Sequence, residues 1–232
     1  MIQIGGLQRS TLIDYPGRVA ATVFLTGCNF RCPFCYNPEL VLPEKIEKQP
    51  KISERHFFDF LKKRKGLLEG VCLTGGEPTI NKDLPEFIRK IKKLGFLVKL
   101  DTNGSNPEML KKLISKKLID YVAMDIKAPK EKYNEAAGAT VDIEKIQESI
   151  DALKKGEVDY EFRSTILPKI HTGKDVANIA KWIQGAKIYY LQQFRPDKTL
   201  DPKYKKCKPF NQKELELIQK ECNKYVPTKI RN

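Results

Sequence analysis

TVFLTGCNFRCPFCYNPELV, residues 22–41, opens on an apolar, β-branched run, breaks at Gly27 and places three cysteines, Cys28, Cys32 and Cys35, in the loop that follows. A short run of this kind, ended by glycine, reads as a buried strand. The same pattern recurs down the chain: VAATVFLTG (19–27), GVCLTGG (70–76), FLVKLDTNG (96–104), YVAMDIKAP (121–129), YEFRSTILP (160–168) and KIYYLQQFRP (187–196). Between these lie stretches with helical periodicity, at 53–65, 83–95, 106–118, 143–156 and 174–185, and a last amphipathic helix covers 211–225. Ser53, Asp83, Asn106 and Lys174–Asp175 mark helix starts, and glycine ends several of them. Six strands alternating with helices imply parallel β/α units joined by right-handed crossovers. At 232 residues the chain falls short of the ~250 typical of an eight-unit barrel. The expected fold is therefore α/β, an incomplete parallel (βα)6 barrel, formed as one domain over residues 1–232. The segment LVLPEKIEKQPKI (40–52) reads as a polar connection rather than a boundary.

This layout predicts where function gathers, because parallel β/α folds bind ligands at the carboxyl ends of their strands. The unusual polar groups of this sequence all fall there: the cysteine loop, Gly75–Gly76–Glu77–Pro78, Asp101–Thr102–Asn103–Gly104, Asp125–Ile126–Lys127 and the QFRP containing Arg195.

Three thiols are one too many for a disulfide and one too few for a closed zinc site. An iron–sulfur cluster explains the number, since three thiolates on a four-iron cluster leave one iron open to an outside ligand. The spacing leaves open a zinc site, with His56, Cys72 or Cys207 as fourth ligand, and plain buried cysteines. Cys72 lies in a strand and reads as core. Cys207 and Cys222 are too scattered for a second cluster. Gly75 and Gly76 permit close backbone approach to a small ligand, and Glu77 offers a carboxylate to an ammonium group. Asp101, Asp125 and Lys127 end neighbouring strands and suit a ribose, a carboxylate or a cation. Arg163, if it points inward, needs an anionic partner. His171 opens a loop, where a surface or capping role fits as well as catalysis.

Composition narrows the class. Hydrophobic residues make up 41% and charged residues 31%, which suits a packed globular chain. No stretch approaches the ~18 apolar residues of a membrane span, and the first residues lack the pattern of a secretory signal. A cytoplasmic location without membrane association is the expectation, with the six cysteines reduced. The 43 Lys and Arg against 29 Asp and Glu give a net charge of +14. That excess fits an acidic partner or simply a lysine-rich proteome, and no nucleic-acid motif accompanies it.

Cys28-x-x-x-Cys32-x-x-Cys35, with Phe34 before the last cysteine and Gly75–Gly76–Glu77–Pro78 one unit later, resembles the radical S-adenosylmethionine (SAM) superfamily, and the resemblance spans essentially the whole chain. More narrowly, IGGLQRSTLIDYPGRVAATVFLTGCNFRCPFCYNPELV (4–41) is similar to the short activating proteins of anaerobic ribonucleoside-triphosphate reductase and to the activase of pyruvate formate-lyase. Tyr36 departs from relatives that often have histidine there. The additional cysteine clusters of some family members are missing, which implies a single cluster.

The resemblance implies that Cys28, Cys32 and Cys35 hold a [4Fe–4S] cluster whose open iron binds SAM, with Phe34 beside it. It implies that Gly75, Gly76 and Glu77 receive the methionine amino end. Asp101, Thr102, Asn103, Asp125 and Lys127 match the region that organises SAM and a monovalent cation, and Arg163 and Arg195 fall near SAM. Reductive cleavage of SAM would yield a radical that abstracts hydrogen from a backbone glycine of a glycyl radical enzyme, the implied partner being anaerobic ribonucleotide reductase. The electron would come from a low-potential donor such as a flavodoxin or ferredoxin. No acid–base pair or nucleophile is required, because the cofactor supplies the radical. The alternatives are a radical SAM enzyme acting on a small anionic molecule of pterin or deazapurine type, and a zinc-binding interaction module.

Overall fold

The computed structural model describes residues 2–231. Eight strands form one sheet in sequence order: β1 (Ile4–Thr11), β2 (Ala20–Leu25), β3 (Gly70–Gly75), β4 (Leu97–Thr102), β5 (Tyr121–Asp125), β6 (Asp159–Ile166), β7 (Tyr189–Gln193) and β8 (Thr228–Arg231). The helices are α1 (Pro38–Val41), α2 (Pro43–Ile46), α3 (Glu54–Lys63), α4 (Leu84–Lys93), α5 (Pro107–Ser115), α6 (Tyr133–Ala137), α7 (Ile143–Lys154), α8 (Gly173–Trp182) and α9 (Gln212–Cys222). The six expected strands are β2 to β7, all parallel, each followed by a helix as the incomplete barrel requires.

Two strands extend this frame at its edges. β1 pairs antiparallel with β2 through two register shifts, and β8 adds in parallel to β7. Neither announces itself in sequence. β1 is IGGLQRST, rich in glycine and polar groups, and β8 is four residues long. The segment at 40–52 also carries local structure, since α1 and α2 each start at a proline that presets the first helical turn.

The helices read as the periodicity required. α4 buries Leu84, Phe87, Ile88 and Ile91 along one stripe and leaves Lys90, Lys92 and Lys93 in its last turn. Ser53 and Asn106 cap α3 and α5 as expected. α8 begins one step earlier than Lys174–Asp175 suggested: Thr172 is its N-cap, in a reciprocal capping box with Asp175.

Alternation along the strands separates two environments. Val98 and Leu100 are fully buried in the apolar core, whereas Lys99 and Asp101, alternating with them, turn to the inner face, where a cavity lined by Asp101 opens at the carboxyl ends. One small element braces this mouth. α6 ends at Gly138, in the left-handed conformation (φ +59°), and Arg31 of the cysteine loop donates its N–H to Ala137 O at 2.8 Å. A Cβ on Gly138 would stand 2.3 Å from Arg31 O. Gly138→Ala therefore combines left-handed strain with a backbone collision, and should lower stability by about 2–3 kcal/mol. A urea midpoint unchanged by the substitution would contradict this packing.

Candidate functional site

The cavity, of about 910 Å³, is walled by the strand-end groups of the sequence reading. Cys28, Cys32 and Cys35 line it as free thiols, with Phe34 buried between them. Their loop is held largely by its own backbone: Gly27 N donates to Leu40 O (2.8 Å), Cys35 N to Cys32 O (3.0 Å), and the Arg31 guanidinium to the carbonyls of Cys28 (2.6 Å) and Phe30 (2.8 Å). Two sulfurs already accept backbone N–H groups, Cys28 from Phe30 and Cys35 from Asn37, each at 3.4 Å. A strap from the end of β7 closes over the loop's outer side. Arg195 N donates to the Tyr36 hydroxyl (2.8 Å), Asp201 N to Pro33 O (2.9 Å), Lys198 pairs with Glu39 (2.7 Å), and Tyr36 stacks on Phe194.

Burial pushes the Cys28 thiol up to about 12, with Glu77 adding to the effect, and the Cys32 thiol up to about 11. Burial raises Cys35 as well. These groups stay protonated near neutrality until a metal centre displaces the protons. Cys72, Cys207 and His56, the candidates for a fourth zinc ligand, all lie outside the cavity lining. Among the described residues no three Cys, His, Asp or Glu side chains have the geometry of a single-ion site. Three thiols on one wall, with backbone donors on two sulfurs, fit a cluster held at three corners.

The opposite wall is the turn after β3. Gly75 has φ +119°, and a Cβ on Gly76 would lie 1.9 Å from Gly27 O. Both glycines are needed for the turn to ride on the cysteine loop, where Gly76 N donates to Leu25 O (2.9 Å) and Glu77 N to Gly27 O (2.8 Å). Glu77 has a structural role that its sequence context does not show. Its side chain is 1% exposed, and its oxygens accept from Thr79 N (3.0 Å), Thr79 Oγ1 (2.5 Å), Thr102 Oγ1 (2.8 Å) and Asn103 N (2.6 Å). The carboxylate ties the turn after β3 to the end of β4, and Gly75, Gly76 and Glu77 all line the cavity. Asn103 in turn donates to Asn29 Oδ1 (3.0 Å) in the cysteine loop.

A row of alternating charges crosses the inner face below. Arg163, 12% exposed, does point inward and has two acidic partners: Asp101 at 3.2 Å and Asp125 at 2.6 Å. Lys127 pairs with the other Asp125 oxygen at 2.9 Å, and Lys99 with the other Asp101 oxygen. Burial works against the Asp125 carboxylate, but Arg163 and Lys127 hold its carboxyl well below the usual range. Lys99 was not anticipated as a site residue; an ionisable side chain inside the buried run FLVKLD was its only signal. Gln192, Gln193 and Arg195 complete the rim.

Two further features escaped the sequence. Glu161, fully buried, takes both Arg231 nitrogens (2.8 and 3.2 Å) and the Tyr121 hydroxyl (3.0 Å), and Arg231 stacks over Tyr190. Arg231 lies on β8, a strand too short to show in sequence. His171 is buried rather than at the surface: Nδ1 accepts from Leu167 N (3.3 Å) and Nε2 donates to Lys127 O (2.9 Å), so it fixes the backbone that carries Lys127. Burial lowers its pKa, in keeping with a neutral ring.

Comparison with known proteins identifies the family. The family model of the radical SAM superfamily matches residues 22–183. A protein of Methanocaldococcus jannaschii, provisionally named a glycyl-radical enzyme activating enzyme, is 37% identical over 96% of this chain and 92% of its own length. The pyruvate formate-lyase-activating enzyme of Listeria monocytogenes is 34% identical over about half of each chain (50% and 49%). Among solved structures, Streptococcus suis SuiB bound to S-adenosylmethionine superposes with a TM-score of 0.63 at 14% identity, over 88% of this chain and 48% of that one, a likeness of fold.

Two outcomes follow from this geometry. Arg163→Met leaves Asp101 and Asp125 short of a buried counter-charge and should cost about 3–5 kcal/mol, read from urea denaturation; a loss within error of zero would refute the charge row. With a thiol raised from 9.0 to about 11, the thiolate fraction of Cys32 at pH 8 is lower by ~100-fold than in an unfolded chain. Iodoacetamide should therefore modify Cys32 far more slowly in native metal-free protein than in urea, as peptide mass mapping would report, and equal rates would contradict its burial.

Proposed function

The chain belongs to the radical SAM superfamily, and on that premise we propose that it is a glycyl-radical-enzyme activase, working as one radical SAM domain over its whole length. Cys28, Cys32 and Cys35 would hold a [4Fe–4S] cluster, and the backbone of Gly75–Glu77 would receive the amino end of SAM. Asp101, Thr102, Asn103, Asp125, Lys127, Arg163 and Arg195 would surround the rest of the cofactor. When bound, cluster and SAM supply one-electron cleavage of a carbon–sulfur bond and hence a hydrogen-abstracting radical. The polypeptide's own work is positioning: the cysteine loop and the turn after β3 are locked face to face, and the charge row sets the polarity of the floor.

The single observation carrying this reading is the convergence of three free thiols and the Gly75–Glu77 backbone on one cavity. That the substrate is a protein loop is supported by near full-length similarity to the M. jannaschii protein. It is supported also by Leu12 and Ile13, 75% and 81% exposed on the β1–β2 loop, with Ile13 on the cavity wall. Large apolar side chains exposed beside a cavity suit a protein partner. We take that partner to be an anaerobic ribonucleotide reductase and the electron source to be a flavodoxin or ferredoxin, in the cytoplasm, where the six free cysteines stay reduced.

Anaerobically reconstituted protein, dithionite and SAM, mixed with a candidate reductase, should give a glycine-centred doublet in electron paramagnetic resonance, with 5′-deoxyadenosine formed in parallel. Cys32→Ala should abolish both. Cleavage of SAM with no radical on any candidate partner would move the reading to a small-molecule substrate. No cluster and no cleavage would end it.

A further inference from the structure

The floor of the cavity carries an arrangement that the resemblance did not supply. The matching motifs imply a monovalent cation held near Asp101, Thr102 and Asp125. An alkali-metal ion needs oxygen ligands, and here every carboxylate oxygen of the two acids already faces a protein cation. One Asp101 oxygen accepts from Lys99 and the other faces Arg163 at 3.2 Å. The Asp125 oxygens face Arg163 at 2.6 Å and Lys127 at 2.9 Å. The Thr102 hydroxyl is spent on Glu77 at 2.8 Å. Three protein cations thus stand against two carboxylates, and another positive ion would enter a site already one charge in surplus.

Lys99 makes the difference. It stands two residues before Asp101 on β4, so both side chains share the inner face. It is 2% exposed, its ammonium lies 3.7 Å from Cys72 Sγ, and Asp101 is its only acidic partner among the described residues. A buried ammonium beside a carboxylate does what a bound alkali ion would do: it neutralises the acid and fixes its orientation, without a dissociation equilibrium.

We propose that the Lys99 ammonium is a built-in replacement for a monovalent cation, a positioning residue that makes SAM binding by this chain independent of sodium and potassium. The inference rests on the reading of the cavity as a SAM site, and its test separates the two. The affinity of the reconstituted protein for SAM is measured by equilibrium dialysis in sodium, in potassium and in tetramethylammonium chloride at equal ionic strength. The expected dissociation constants agree within about twofold. A loss of about tenfold or more in tetramethylammonium alone would overturn the inference and leave the SAM reading intact. Failure to bind SAM in every salt would remove both.

Lys99→Met, which keeps the length of the side chain and removes its charge, supplies the converse. Its SAM affinity should gain a dependence on alkali cation of about fivefold or more, with a thallium-205 resonance shifted by bound ion that wild type does not give. A variant that folds and stays insensitive to cations would overturn the proposal. Should the variant not fold, the wild-type salt series decides by itself.

Discussion

Five side chains on three adjacent strands or just past their ends, Lys99, Asp101, Arg163, Asp125 and Lys127, constrain the rest of this molecule. Charges this deep persist only when each finds an opposite neighbour at contact distance. The strand register provides that: Asp125 lies directly across from Arg163 in the β5–β6 pair, and the alternation of β4 sends Lys99 and Asp101 to the same side. A slip of one residue in any of these pairings would turn charged groups into the apolar layer beneath the helices. The row therefore specifies register as well as electrostatics, and the cavity inherits a floor whose charges are fixed before any ligand arrives.

Above that floor, the walls are joined by short-range complementarity of backbone rather than by bulk packing. Gly76 meets Gly27, Gly138 meets Arg31, and Glu77 gathers four donors from two loops. Neither glycine contact leaves room for a Cβ. The consequence is a rigid pair of walls around a space lined by thiols and peptide groups, which suits a site whose reactivity resides in the cofactor and whose protein supplies orientation.

Much of this was legible in the sequence because the physics is local. Six apolar runs ending in glycine or polar punctuation gave β2 to β7, and the same alternation placed the cysteines, Asp101 and Asp125 at one end. β1 and β8 were illegible because edge strands bury little and are held by neighbours far along the chain. The bracing role of Glu77 is invisible in sequence because its partners Thr102 and Asn103 lie 25 and 26 residues further along the chain. Lys99 was passed over because a lysine in a strand ordinarily faces water. Its meaning depends on Asp101 and Arg163, one of which lies 64 residues away, a separation no local pattern spans.

The strap after β7 bears on how the molecule is made. Its hydrogen bond from Arg195 to Tyr36 joins residues 159 positions apart, and the bond from Asp201 to Pro33 spans a similar distance. Contacts of such range form after the local units, since loop-closure entropy must be met first. During synthesis the segment bearing Cys28, Cys32 and Cys35 emerges early and waits for the sixth β/α unit before its outer side is covered. The loop and its cover thus belong to different stages of folding: the thiols are set in place by neighbours near in sequence, and their outer side closes only when the far end of the sheet is in place.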